Sequence, residues 1–147
     1  MISRSIESEL ERFLKSENGY ALLVDGARQV GKTSIIEDFG RKHYESFVKI
    51  DFIRTPEACD IFSNVEDESD ILVRLTALCD IPLVKGRTLI FLDEIQKCPE
   101  AVTYIKYLVQ EGSYRYILSG SLLGVELKNI RSVPVGFMDE VKMFPLD

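Results

Sequence analysis

One histidine, His43, and three cysteines, Cys59, Cys79 and Cys98, are all the imidazole and thiol that these 147 residues contain. His43 has no neighbour at ligand spacing and no C-x-x-C pair occurs, which argues against a zinc-type site. The cysteines are odd in number and far apart, so reduced thiols in a cytoplasmic protein are the expected state. No apolar run approaches the ~20 residues of a membrane span. Met1 to Glu7 lacks the apolar core of a signal peptide. An excess of positive charge is missing as well: the formal charge is −6 and the pI about 4.9. That balance gives no basic footprint and argues against nucleic-acid binding through this domain alone. Internal repeats and low-complexity segments are also absent.

What remains has the make-up of one soluble globular domain, with 46% hydrophobic and 29% charged residues. Ile2, Ile6, Leu10, Phe13 and Leu14 recur at helical spacing, and Asn18-Gly19 ends that helix. Tyr20 to Val24 and Phe47 to Phe52 read as strands. Thr55-Pro56 reads as a helix start, with Thr55 as cap. The acidic run Glu66 to Asp70 reads as a loop and cap before Ile71, Leu72, Leu75 and Leu78. Thr88 to Leu92 is continuously apolar, as in a parallel strand buried on both faces. Pro99 opens a further helix with Val102, Ile105, Leu108 and Val109 inward, and Gly112 closes it. Tyr116 to Leu118 is another strand, and Val141, Met143 and Leu146 indicate a last one, limited by Pro145. Strands alternating with helices predict one α/β layer sandwich with a mainly parallel sheet.

The most informative stretch is Gly26-Ala27-Arg28-Gln29-Val30-Gly31-Lys32-Thr33, an unbroken G-x-x-x-x-G-K-[ST]. It lies between an apolar strand and a helix that carries Ile35, Ile36 and Phe39 on one face. That context makes it a phosphate loop. Main-chain N–H groups from Gly26 to Gly31, with Ser34 in the first helical turn, can turn on phosphate oxygens at the positive end of the helix dipole. Lys32 brings an ammonium to the outer phosphates, and the Thr33 hydroxyl suits Mg²⁺. Arg28 and Gln29 side chains read as outward-facing loop residues, or as a contact to a neighbouring subunit or covering domain.

The buried run ends in Asp93-Glu94, an apolar strand followed by acids, as in a Walker B site. Asp93 can hold Mg²⁺ through water. Glu94 can point differently and deprotonate a water aimed at a γ-phosphate. Ser119-Gly120-Ser121 ends the next strand, either as a simple turn or with Ser119 as a polar sensor of the attacking water or γ-phosphate. Ligands of open parallel sheets collect at the carboxyl ends of strands, which is where all three segments fall. The cluster Tyr104, Tyr107, Tyr114 and Tyr116 is better explained by packing than by base stacking.

Asp25 to Ile36, Leu89 to Pro99 and Ile117 to Ser121, with the closing Val141 to Leu146, resemble the AAA-type P-loop ATPase domain of bacterial and archaeal two-domain ATPases. The resemblance spans essentially the whole chain. It implies a RecA-like three-layer fold with strand order 5-1-4-3-2 and Mg²⁺-dependent ATP hydrolysis. By that likeness Gly26 to Thr33 bind phosphates, Asp93 holds the metal, Glu94 and Lys32 are catalytic and Ser119 is the sensor. Adenine preference comes from the likeness alone. Relatives usually continue into a C-terminal domain resembling restriction endonucleases, so residues 1–147 are expected to be the N-terminal ATPase domain of a longer architecture. Many relatives carry Gly-Arg where this chain has Gly136-Phe137; Arg131 lies nearby in sequence. An arginine acting in trans from a homo-oligomer or partner is the other source.

The alternative from another class is a nucleotide-binding switch with little turnover. A GTPase is disfavoured because no Asn-Lys-x-Asp motif occurs and Asp93 does not open a D-x-x-G. A small-molecule kinase is disfavoured because no arginine-rich lid is visible.

Overall fold

The computed structural model describes residues 2–25, 32–120 and 138–142. Five parallel strands form one sheet: β1 (Ala21–Asp25), β2 (Ser46–Asp51), β3 (Thr88–Asp93), β4 (Arg115–Gly120) and β5 (Met138–Lys142). Their spatial order is β2-β3-β4-β1-β5, which is the expected 5-1-4-3-2 read from the other edge. The helices are α1 (Ile2–Lys15), α2 (Lys32–His43), α3 (Glu68–Leu78) and α4 (Pro99–Glu111). Two 3-10 segments, Pro56–Phe62 and Ile95–Lys97, complete the described elements.

Strand alternation sorts the core into two halves. Leu22, Val24, Leu89, Phe91 and Ile117 face one side and pack with Ile6, Leu10 and Phe13 of α1 and Ile36 and Phe39 of α2. Leu23, Ile90, Leu92, Tyr116 and Leu118 face the other and pack with Ile71 and Leu75 of α3, Ile105 and Leu108 of α4, and Ile61 and Phe62. The sheet is therefore sandwiched between two helical layers, and β1 and β3 are buried along their whole length. Each such Leu, Ile or Phe contributes about 1.5–3 kcal/mol by leaving water.

Local signals act largely as their chemistry predicts. Asp67 caps α3 by accepting from the Asp70 N–H, and the Asp70 carboxylate in turn accepts from the Glu66 N–H. Gly112 ends α4 at φ 83°, where a side chain would be strained. Arg115 donates to the carbonyls of Phe13 and Tyr20 and lies 3.9 Å from the centre of the Phe13 ring, tying α1 to the sheet. Tyr116 is buried, Tyr104 and Tyr114 pack against the core, and Tyr107 is exposed. The last strand is described from Met138 to Lys142 and contains the predicted Val141; Met143, Pro145 and Leu146 fall outside the described residues. Thr55 occupies the cap position, yet its side chain makes no capping bond and the turn it begins is 3-10 rather than α.

One expectation is overturned. Cys59 and Cys98 are joined in a disulfide with their Cα atoms 5.7 Å apart; Cys79 is free. The two lie 39 residues apart in sequence, and the packing of the first 3-10 segment against α4, which Cys98 precedes, makes them neighbours, so spacing gave no sign of it. With Glu100 they form a cluster of metal-type donors, but both sulfurs are consumed by the bond. Closing a loop of that length stabilises the chain by about 2–4 kcal/mol. Reduction should lower the melting temperature by roughly 5–15 °C for a domain of this size. Melting curves with and without dithiothreitol measure this. Cys59→Ser should reproduce the shift and remove the response to reductant.

Candidate functional site

The carboxyl ends of β1, β3 and β4 lie side by side. In register, Asp25 is opposite Gly120 and Asp93 is opposite Ser119. These ends gather polar groups in a place the sheet keeps from water: Asp25, Asp93, Glu94 and Ser119 are all buried. Buried carboxylates are costly unless partnered, and their concentration at one edge of an otherwise apolar core marks the site.

Alternation explains which groups meet. Asp93 shares the face of Leu89 and Phe91, and Ser119 shares that of Ile117, so both turn toward the layer that holds α2. Ser119 Oγ donates to Asp93 Oδ1 at 2.5 Å, and Thr33 Oγ1 donates to Asp93 Oδ2 at 3.4 Å. Asp93 is thus gripped from β4 on one side and from the first turn of α2 on the other. Lys32, the first residue of α2, is 2% exposed. An ammonium is disfavoured at the positive end of a helix dipole, by about 0.3–1 kcal/mol. The same helix end favours a bound anion. Ser34 is exposed on the same turn.

Glu94 departs from the strand. Its backbone sits in the left-handed region at φ 60° and ψ 50°. A non-glycine residue held there costs of order 1–3 kcal/mol and marks a place where surrounding structure dictates the conformation. The turn swings Glu94 out of the β3 alternation, as the adjacent-acid reading requires. Its carboxylate Oε1 accepts from Gln96 Nε2 at 2.8 Å. Gln96 Oε1 is shielded from solvent without a hydrogen-bond partner, a state that costs about 1–3 kcal/mol.

The structure therefore brings Lys32, Thr33, Asp93, Glu94 and Ser119 to one edge of the sheet. Gly26, Ala27, Arg28, Gln29, Val30 and Gly31 lie outside the described residues, as do Arg131, Gly136 and Phe137. Ser119 bonds directly to Asp93. Gln96 was given no role from the sequence; it stood only within the Leu89 to Pro99 stretch that carries the family resemblance. The Thr33 hydroxyl and the Asp93 carboxylate are hard oxygen donors from elements that meet, a set suited to Mg²⁺. The ion would neutralise negative charge on bound phosphates.

The sheet order and this polar edge define a domain of the P-loop NTPase class. The chain belongs to the AAA domain family, whose model matches residues 18–147. Membership makes it a nucleotide-binding domain of an ATPase family. No curated protein matches the chain. Among solved structures it is similar to a chain of Drosophila ORC bound to DNA, at 13% identity and TM-score 0.60, covering 99% of this chain and 95% of that one. At that identity the likeness bears on the fold alone. A Thermotoga maritima RuvB variant is a weaker likeness, at 15% identity and TM-score 0.49, covering 94% of this chain and 44% of the other. Among the described residues no helix is long and apolar enough to cross a membrane.

Proposed function

We propose that residues 1–147 form an ATPase domain that binds ATP with Mg²⁺ at the carboxyl edge of the sheet and directs water onto the γ-phosphate. The observation that carries this reading is the Thr33–Asp93–Ser119 hydrogen-bonded chain beside a buried Lys32. It joins the two motifs that are far apart in sequence. In this reading the Gly26 to Ser34 segment cradles the phosphates, and Lys32 meets their outer charge. Thr33 and Asp93 hold Mg²⁺, and Ser119 keeps the Asp93 carboxylate oriented. Glu94 takes a proton from the attacking water. Use of ATP favours a cytoplasmic setting, in which the Cys59–Cys98 disulfide would be open to reduction.

Phosphate release measured with Mg²⁺ and with excess chelator tests the proposal. Turnover should require the ion and fall to background without it. Release equal in both conditions would remove Thr33 and Asp93 from their assigned role.

A second reading, a nucleotide switch with little turnover, is favoured by one observation: the Glu94 carboxylate is already held by Gln96. The two readings separate on concentration. Transition-state charge on the γ-phosphate is commonly met by an arginine from a neighbour. A rate per chain that climbs with protein concentration supports an active enzyme completed by a second copy. Retained ATP with no release at any concentration supports the switch.

A further inference from the structure

We infer that Gln96 is a positioning residue: it sets the Glu94 carboxylate from the end of β4, so that the strand carrying Ser119 and the proposed base move as one unit. The inference rests on the ATPase reading above and adds to it roles for Gln96 and Gly120, to which the sequence alone assigned none.

Three observations converge. First, the Gln96 amide donates to Glu94 Oε1 at 2.8 Å. A carboxylate offers only acceptors, so the facing atom is the amide nitrogen and Oε1 is turned the other way. Second, that Oε1 is shielded from solvent and unpartnered. A side chain recruited only for stability would not be left so; an apolar residue of the same length would serve better. Third, Gly120, the last residue of β4, has no room for a side chain. A Cβ there would collide with Gln96 Oε1, and the Gln96 Cδ and Ile95 N atoms would be 3.3 Å away. Gly120 has no left-handed backbone that would call for glycine. What it provides is space, and Gln96 fills that space.

The consequence is mechanical. Ser119, one residue before Gly120, grips Asp93, while Gln96, lodged against Gly120, grips Glu94. One oxygen of Glu94 is fixed by the amide, which limits the directions in which the other can face a water. Glu94 sits on a backbone turn that few residues adopt, at the head of the short 3-10 segment containing Gln96. Small displacements of a reacting group cost up to about 100-fold in rate, so such a brace acts on the chemical step and not on ATP binding.

The test uses steady-state ATP hydrolysis and melting curves on the full chain. Gln96→Met keeps the length and removes the donor. It should leave the melting temperature unchanged or higher, lower kcat by about 10-fold or more, and move KM for ATP by no more than about 2-fold. Gly120→Ala should displace Gln96 and give a similar kcat loss. The double variant should be no worse than about 2-fold below the poorer single, because both changes break one contact. A Gln96→Met protein with kcat within about 2-fold of wild type, while Glu94→Gln loses turnover, overturns the brace and leaves the ATPase reading standing. Additive losses in the double variant overturn the link through Gly120. Absence of turnover in the wild type itself overturns the ATPase reading and the brace with it.

Discussion

Lys32→Ala is expected to weaken ATP binding by at least about 100-fold, or about 2.7 kcal/mol. The magnitude follows from the loss of charge-assisted hydrogen bonds in a place shielded from water. Each of these contributes about 1.5–3 kcal/mol. Lys32 is 2% exposed at the first position of α2, so its ammonium and the helix dipole act on the same small volume. The wild-type chain should melt at a higher temperature as ATP is added, since a ligand that binds only the folded state stabilises it by mass action. The variant should show no such rise at the same concentrations. A titration with a fluorescent ATP analogue supplies the affinity. Equal affinity in the two proteins would mean that the buried lysine serves the fold and that phosphates bind elsewhere.

Glu94→Gln is expected to separate binding from chemistry. The substitution keeps the size of the side chain and its place beside Gln96 while removing the basic oxygen. General-base catalysis typically contributes 10²–10⁴-fold, so turnover should fall by about 100-fold or more with ATP affinity retained. Single-turnover phosphate release, read beside analogue binding, measures both quantities on one sample. The residue has the setting such a role needs: it is buried, adjacent to Asp93, and held in a left-handed backbone turn. Turnover unchanged in the variant would assign Glu94 to the turn alone. Asp93→Ala should behave differently. It removes the acceptor of both Ser119 and Thr33, so its loss should appear in Mg²⁺-dependent binding as well as in rate.

These expectations can be compared with what the chain announces locally. The apolar run Thr88 to Leu92 announced β3 because a parallel strand covered on both faces has no polar side to show. The acids after it are a weak signal alone, since a polar strand terminus looks the same; they pointed to a site because an unbroken G-x-x-x-x-G-K-[ST] motif precedes them. Asp67, Pro99 and Gly112 marked helix ends through short-range geometry, and each acts where it stands. Thr55 looked equally sound, but it heads a 3-10 turn without a side-chain cap. Such a turn is chosen by how Ala58, Ile61 and Phe62 meet the core, and its local signal matches that of an α-helix. The residues of the last strand before Val141 were missed for a related reason: β5 is defined by pairing with β1, from Met138 opposite Ala21 to Lys142 opposite Asp25, and not by its own alternation.

The sequence by itself determined the class of the fold, the Gly26 to Thr33 motif, and the acids that end β3. Each is written in contiguous residues whose spacing mirrors the period of a strand or helix. Only the tertiary structure decided that Thr33 and Ser119 would converge on Asp93, that Cys59 would meet Cys98, and that Gln96 would lodge against Gly120. Those contacts join segments brought together by strand order and layer packing. A pairing between distant residues depends on the path of everything between them, which no local pattern of side chains records.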